Sequence, residues 1–379
     1  MNKKLLVILC LPSTALPMKL RLSAFRALLF FLLYSNYQLV FSQQSGSASL
    51  SSADTNQIDT NYVKFYKDRL IIGLWQSERS FNMTIDQKML SPADSTAINY
   101  IANSNHVSGI SLDYDIIGFA FGYKSVAGDT ARTGKSDYLD LGLNINTRRL
   151  RLENSYKRYT GFYDNNSDYY IHPFTKTTRY FQNPSMNLRV TKAKLVYTFK
   201  TKKFALGAAY ANAKRQVKSK GSWILVGNFY ALNLFSDSSI IPPLQRPNYG
   251  ILWDGLKRMN VYAYSAGFGG TYTVVFWKKF YFNFLASFGI ESQYRHFYIS
   301  PENTRYTYWK TQSAVDWRTS LGYNGKRFFV RASTIYDINN YDSKALNFEM
   351  KFIAGSFDLG YRFNFKAPKP YRKFQESKI

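Results

Sequence analysis

The chain has 379 residues, a formal net charge of +26 and an aromatic content of 18%. Its lysines and arginines are dispersed and no reading motif accompanies them, so nucleic acid is not expected as a partner. Because Cys10 is the single cysteine, a disulfide framework, a cysteine-ligated metal and a catalytic thiol are excluded from the part of the chain that follows the leader.

The first segment, residues 1–42, has the features of a secretory signal peptide. A basic stretch that begins at Met18, an alternative start, precedes the apolar run "ALLFFLLYSNYQLVF" and a small residue at the expected cleavage point. A retained membrane anchor is the competing interpretation, but Asn36 and Gln38 interrupt the apolar run and favour cleavage. Residues 43–61 are rich in Ser and Gln and are predicted to be a flexible lead-in.

Residues 62–365 are dominated by segments in which polar and apolar side chains alternate. In "GSFDLGYRFNF", Phe357 and Tyr361 point to one side, whereas Asp358 and Arg362 point to the other. At least five segments combine one aromatic or aliphatic face with one charged face. This pattern predicts an all-β fold, a transmembrane antiparallel up-and-down β-barrel of about 12 strands (12–14), although a soluble β-sandwich remains possible.

The predicted connections differ in length, as is typical of barrels with short periplasmic turns and long extracellular loops. Tight turns are expected at "KTKK" (200–203), "WKK" (277–279) and "YNGKR" (323–327), where Asn324-Gly325 suits a two-residue turn with positive φ. Long polar connections are expected at 86–103, 164–186, 235–258 and 298–308. Treating 218–258 as one loop gives 12 strands, whereas counting "SWILVGNFYAL" and "NYGILWDG" as strands gives 14.

Several stretches resemble a known family. They are "ISLDYDIIGFAFGYK", "DYLDLGLNI", "NSYKRYTGFY", "AYANAKRQVKSKGSWILVGNFY", "SDSSIIP" and "LGYRF". Together they resemble the exported proteins of domain-of-unknown-function family 4421, over roughly Asn61 to Phe365. The resemblance implies a barrel in the outer membrane of a Gram-negative bacterium and brings no assigned activity.

The C-terminus departs from the usual barrel pattern. Bacterial barrels usually end on an aromatic residue that the barrel-assembly machinery recognises, which here would be Phe365. The chain continues with a basic tail, residues 366–379, in which two prolines argue against a further strand. The assembly machinery and outer-membrane lipid are the expected partners, and the small-molecule ligand is left open.

The polar strand faces carry the charges that are expected to line the lumen. These are Asp140, Arg151, Glu153, Lys157, Glu291, Arg295, Asp316, Arg318, Arg331, Asp358 and Arg362. In a narrow barrel such charges pair and fill the interior, because unpaired buried charges are costly. In a wider barrel they line a water-filled pore whose basic surplus favours anions. A structural or transport-related barrel of undefined ligand with a net basic interior is preferred, and an anion-preferring, porin-like small-solute channel is the alternative.

Two further site hypotheses follow from the loops. The first is an anion-attracting basic loop patch formed by Lys214, Arg215, Lys218 and Lys220. The second alternative function is an outer-membrane enzyme with a rim active site, for which the available histidines are His106, His172 and His296. A catalytic histidine needs an orienting carboxylate and a nucleophile, and no such constellation is evident in the sequence. No spacing typical of a metal site or of a cofactor site is found, so no cofactor is expected.

Overall fold

The computed structural model describes residues 58–88, 97–126, 128–300 and 304–376. The predicted signal peptide, residues 1–42, and most of the predicted lead-in, residues 43–61, lie outside this part of the chain. Among the described residues, no helix combines the length and the hydropathy that a membrane span requires.

Strands dominate the described residues. They are β1 (Val63–Phe65), β2 (Arg69–Gln87), β3 (Ile98–Ile101), β4 (His106–Tyr114), β5 (Ile117–Lys124), β6 (Asp137–Asn146), β7 (Leu150–Asp164), β8 (Gln182–Thr198), β9 (Lys214–Gln216), β10 (Lys220–Phe235), β11 (Leu256–Phe276), β12 (Phe280–Ile299), β13 (Thr304–Asn324), β14 (Phe328–Asn340) and β15 (Leu346–Asn364). The described helices are α1 (Thr130–Thr133), α2 (Gly207–Tyr210), α3 (Arg246–Asp254) and α4 (Lys369–Glu376), with 3₁₀ turns at Ser167–Tyr169 and Pro243–Gln245.

Twelve antiparallel strands close into a barrel, which confirms the predicted fold class and strand number. The order around the wall is β2, β4, β5, β6, β7, β8, β10, β11, β12, β13, β14 and β15, and β15 pairs back onto β2 from Leu346↔Gln87 to Asn364↔Arg69. The short strand β3 bridges β2 and β7 beyond the ends of β4–β6. Strands β1 and β9 form a separate two-stranded sheet.

The two rims of the barrel differ in the length of their connections. The rim where both ends of the barrel chain lie, called the terminal rim here, carries the connections 115–116, 147–149, 199–219, 277–279 and 325–327. The opposite loop rim carries 88–105, 125–136, 165–181, 236–255, 300–303 and 341–345. Short turns on one rim and longer loops on the other therefore match the expected pattern, except for 199–219.

Three predictions about the connections are wrong. Residues 218–258 are not one loop, because β10 crosses the wall and "NYGILWDG" lies in α3 and its end. Residues 200–203 do not form a tight turn but open the connection 199–219, whose apolar segment from Phe204 onward is buried. Asn324 and Gly325 do not have positive φ, whereas two consecutive residues of the turn 277–279 do, Trp277 with φ of 47° and Lys278 with φ of 61°.

The outer surface of the wall is an apolar band between two aromatic girdles. Mid-strand positions such as Phe288 and Val315 are 68% and 63% exposed, as side chains that face lipid would be. Trp277 lies 5.7 Å from Phe280, ring centre to ring centre, near the terminal rim, and Trp309 lies 5.8 Å from Tyr264 on the loop side. This arrangement is that of a membrane barrel, with its polar strand faces turned inward.

A charge in this band is expected to destabilise the barrel. Phe288→Arg should cost about 2–4 kcal/mol of unfolding free energy, because an arginine near the bilayer midplane loses its hydration. Urea titration of the refolded protein in lipid vesicles measures this cost. Phe288→Leu is the matched control and should cost less than about 1.5 kcal/mol, whereas equal costs for the two variants would show that Phe288 does not face lipid.

Candidate functional site in the barrel lumen

The candidate site is the interior of the barrel, because the inward strand faces converge there. A barrel of this size must fill its lumen with side chains or with water. Three layers occupy the lumen of this chain. They are a terminal plug (residues 199–219), a charged layer at mid-height and a loop plug (residues 236–255).

Polar contacts hold the terminal plug against the wall. The Tyr210 hydroxyl donates to Asn283 Oδ1 (2.7 Å), and Arg362 Nε donates to the carbonyl oxygen of Asn212 (2.8 Å). Arg362 and Asn283 lie on inward strand positions and are both fully buried. The plug therefore docks onto wall strands far from it in sequence.

The terminal plug also has an apolar anchor. Phe204 and Leu206 pack against the buried wall residues Val196, Ile224 and Leu285. Phe204 is 1% exposed, so the phenyl ring is removed from water as completely as in a protein core. Burial of a side chain of this size contributes about 1.5–3 kcal/mol, which favours the docked position of the plug.

The charged layer is organised around ion pairs, first at Glu153. The Glu153 carboxylate lies between two guanidinium groups, 2.5 Å from Arg151 Nε and 2.6 Å from Arg318 Nη1. Arg318 comes from the opposite side of the lumen, so this carboxylate links β7 to β13. A buried carboxylate between two arginines keeps its charge compensated.

Further pairs complete the layer. They join Arg79 to Asp140 (2.8 Å), Lys192 to Asp337 (2.9 Å), Lys194 to Asp316 and Arg331 to Asp358 (2.9 Å). The Lys157 ammonium lies 3.9 Å from the centre of the Phe352 ring. Pairs that cross the lumen, such as those made by Lys192 and Lys194, occupy space that a pore would leave to water.

The eleven charges named from the sequence all lie on inward strand positions. They are Asp140, Arg151, Glu153, Lys157, Glu291, Arg295, Asp316, Arg318, Arg331, Asp358 and Arg362. Sequence reasoning missed Arg79 and Lys194, which pair with two of these charges, and the separate pair Lys192–Asp337. Arg79 lies on β2 and both lysines lie on β8, where the inward faces also carry Phe81, Met186 and Leu188. These faces therefore lack the uniform polarity that identified the other strands.

The loop plug closes the other end with apolar side chains. Ile240, Ile241, Tyr249 and Trp253 join one buried cluster with inward wall residues such as Phe297. The Tyr249 hydroxyl donates to the carbonyl oxygen of Ile85 (2.8 Å), and burial raises the pKa of Tyr249 well above its usual value. The loop end of the lumen is therefore packed like the core of a soluble protein.

The four residues of the predicted basic loop patch do not share one environment. Lys214 is buried in the terminal plug and donates to the carbonyl oxygen of Thr147 (3.1 Å), whereas Lys220 is exposed at the start of β10. Lys218 lies 5.3 Å from the centre of the Tyr62 ring. Arg215 lines a basin of about 530 Å³ at the terminal rim.

That basin is strongly basic. Its lining includes Lys64, Lys67, Arg69, Arg215 and Lys326, together with Phe65 and Tyr66. None of these side chains is acidic, so the basin has a positive potential that attracts anions.

Lys214 makes the terminal plug sensitive to pH. Burial lowers the pKa of Lys214 to about 8, below its value in the unfolded chain, so below pH 8 the folded protein must keep a buried ammonium. Stability therefore rises with pH between about 8 and 10.5. Between pH 7.5 and 9.5 the gain relative to Lys214→Met should be about 2 kcal/mol. Urea midpoints at both pH values measure it, and an equal pH response of wild type and Lys214→Met would contradict it.

The three histidines lie on three different elements of the chain. His106 is exposed at the start of β4, and His172 is exposed in the connection 165–181. His296 Nδ1 is hydrogen-bonded to Thr307 Oγ1 (3.0 Å) on the outer side of β12. Among the residues that the structure describes, no group of three or more His, Cys, Asp or Glu side chains is placed to hold a metal ion.

Solved structures similar to this chain are outer-membrane barrels. The outer membrane protease OmpT from Escherichia coli is 9% identical, with a TM-score of 0.34, 80% of this chain covered and 100% of that chain. An outer membrane channel from Pseudomonas putida F1 is 11% identical, with a TM-score of 0.31 and coverages of 83% and 100%. The transport unit of the autotransporter AIDA-I from Escherichia coli is 12% identical, with a TM-score of 0.36 and coverages of 83% and 94%.

A search of curated proteins returned no match. The family described as "Domain of unknown function (DUF4421)" matches residues 57–363, which is most of the chain and includes every strand of the barrel except the last residue of β15. The chain belongs to the DUF4421 family.

Proposed function

We propose that the protein is a barrel of the outer membrane of a Gram-negative bacterium whose lumen is closed by its own chain at rest. The observation that carries this proposal is the occupation of both lumen ends, by the terminal plug and by the loop plug. The apolar outer band and its two girdles support the membrane location.

An anion-preferring open channel is supported less well. Its selectivity would need lumen arginines and lysines that water and passing ions can reach. Arg318, Arg331 and Lys194 instead contact carboxylates, and their side chains are 15%, 14% and 2% exposed. The pairs favour a packed interior, so transport of a solute would require displacement of both plugs.

Solute flux tests this proposal. Refolded protein in proteoliposomes loaded with glucose should release no more glucose than protein-free vesicles do, because both plugs bar the lumen. A general porin reconstituted in parallel confirms that the assay detects a pore of this kind. Rapid release from vesicles that contain the folded protein would contradict the closed state.

We also infer that the basic basin at the terminal rim attracts the phosphates of lipid head groups. Lys64→Glu with Lys67→Glu should reduce the phosphatidylglycerol that remains bound in native mass spectrometry at least threefold. Lys176→Glu with Lys344→Glu, at the loop rim, is the control and should leave binding unchanged. Unchanged binding of phosphatidylglycerol by the basin variant would contradict this role. If the variant lost only the binding of inorganic phosphate, the basin would be a site for free phosphate and not for lipid head groups.

A further inference from the structure

The hydrogen-bonded pairing of β13 with β14 covers only about half of the length along which these two strands face each other. Strands β13 and β14 pair from Asn324↔Phe329 to Arg318↔Ile335, and the ladder stops there. Beyond that point β13 continues to Thr304 with β12 as its only described neighbour, and β14 continues to Asn340 with β15 as its only described neighbour. The facing edges, residues 312–317 and 336–340, are called the wall window here.

Like charges account for the end of the ladder. Continuing the register would place Asp316 directly opposite Asp337 on the inward face, and like charges in such pairs are destabilising. Each carboxylate instead pairs with a lysine of β8 across the lumen, Asp316 with Lys194 and Asp337 with Lys192 (2.9 Å). These cross-lumen pairs stabilise the open seam.

The window is closed at its loop-side end. Arg295, which is 1% exposed, donates through Nη2 to the carbonyl oxygen of Asn340 (2.9 Å) and through Nη1 to that of Asp342 (2.7 Å). Lys310 Nζ lies 2.7 Å from Asp342 Oδ2. The unpaired part of the seam is thus bounded by side-chain contacts toward the loop rim and by the Arg318↔Ile335 pair toward the terminal rim. It is therefore a window in the wall, and the barrel does not open along the whole length of the two strands.

The two faces of the window differ in polarity. On the outer face, Val315, Trp317, Tyr336 and Ile338 are 63%, 52%, 51% and 39% exposed, within the apolar band. On the inner face lies a polar cavity of about 90 Å³, whose lining includes Asn228, Ser265, Glu291, Asp316, Asp337 and Lys192. A volume of this size holds about three water molecules or one small head group.

The cavity has an excess of negative charge and of hydrogen-bond acceptors. Glu291 accepts hydrogen bonds from Gln293 Nε2 (2.6 Å) and Gln312 Nε2 (3.3 Å), but among the described residues no lysine or arginine forms an ion pair with it. Asn228 Oδ1 is buried and accepts no hydrogen bond there. By contrast, Asp316 and Asp337 are each paired with a lysine, and Arg318, which also lines the cavity, is paired with Glu153. Among the described charges of this lining, Glu291 is therefore the one without an ion pair.

We propose that the wall window binds an amphiphile with a primary ammonium head and an apolar chain. The ammonium, which carries three donors and one positive charge, is held by the Glu291 carboxylate and Asn228 Oδ1. The chain leaves through the window and lies against Val315 and Ile338 on the lipid side. This assignment rests on the proposed membrane location and does not depend on the lumen being closed to ions.

Calorimetric titration of the protein in phosphatidylcholine nanodiscs tests the head group. Dodecylammonium should bind saturably, one per barrel, and at least tenfold more tightly than dodecyl sulfate after subtraction of empty nanodiscs. Glu291→Gln should weaken dodecylammonium binding at least tenfold. Glu349→Gln, which changes an outward-facing carboxylate of β15, is the control and should bind like wild type. Equal affinities of wild type and Glu291→Gln, or of the two amphiphiles, would overturn the proposal.

A second variant tests the passage through the wall. Ile338→Ser should weaken dodecylammonium binding at least threefold but leave butylammonium binding unchanged, because the short chain does not reach the outer face. Heat-modifiable migration on gels establishes that each variant is folded. Unchanged dodecylammonium binding by folded Ile338→Ser would overturn the wall route. Release of glucose through the wild-type barrel would refute the closed lumen, but it would not alter the binding results for Glu291→Gln and Ile338→Ser.

Discussion

Removal of both plugs is expected to turn a silent barrel into one that conducts ions. The chain offers natural points for the deletions. Gln216 Nε2 donates to the carbonyl oxygen of Lys203 (2.8 Å), and Ser239 Oγ donates to that of Asp254. Deleting 204–215 and 240–253 therefore rejoins residues that are already adjacent. The double deletion should show steady conductance steps in a planar bilayer.

The single deletions are the matched controls, because the plugs lie in series along the lumen. Each single deletion should remain silent, since the remaining plug still bars one end. Heat-modifiable migration must show that all three variants are folded. A folded double deletion without conductance would mean that the charged layer itself blocks the lumen, and full conductance in a single deletion would show that the other plug does not seal.

Loss of the Glu153 carboxylate is expected to be strongly destabilising. Glu153→Ala removes the carboxylate that Arg151 and Arg318 share and leaves Arg318 with only the longer contact to Asp316 Oδ1 (3.7 Å). Removing one partner of a buried ion pair typically costs about 3–5 kcal/mol. Urea titration of the refolded protein in vesicles measures this loss as a lower unfolding midpoint.

Glu349→Ala is the control for this prediction. Glu349 pairs with Lys351 at 2.6 Å, but the two side chains are 29% and 44% exposed, so its loss should cost at most about 1 kcal/mol. A second variant, Glu153→Ala with Arg318→Met, should recover part of the loss because it removes one uncompensated charge. If Glu153→Ala cost no more than Glu349→Ala, water would screen the lumen charges and the packed interior would be wrong.

The barrel could be predicted because alternation along a strand is a local property. Phe357, Asp358, Tyr361 and Arg362 reveal two faces of opposite character without any knowledge of their neighbours, and a membrane accounts for the aromatic face. The predicted total of 12 is confirmed, but the assumption behind it is wrong, because β10 lies inside the segment 218–258 that this count treats as one loop. The tyrosine, the two asparagines and the two glycines of β10 weaken its alternation.

The plugs could not be predicted, because they depend on contacts between distant parts of the chain. "KTKK" has the composition of a turn, and only the docking of Phe204 beside Leu285 shows that the chain enters the lumen there. The open seam between β13 and β14 could not be predicted for the same reason. Alternation along the strand identifies Asp316 as an inward charge but misses Asp337, and the conflict between the two carboxylates appears only once the register of β13 and β14 is known.

Single-channel recording of the unmodified protein tests the closed lumen most directly. The refolded barrel, shown to be inserted by its heat-modifiable migration and by protease protection, is placed in a planar bilayer under a salt gradient. Because both ends of the lumen are occupied, we expect no steps of conductance. Steady, anion-selective steps from the wild-type protein would contradict the closed lumen and would assign the inward arginines to the lining of a pore.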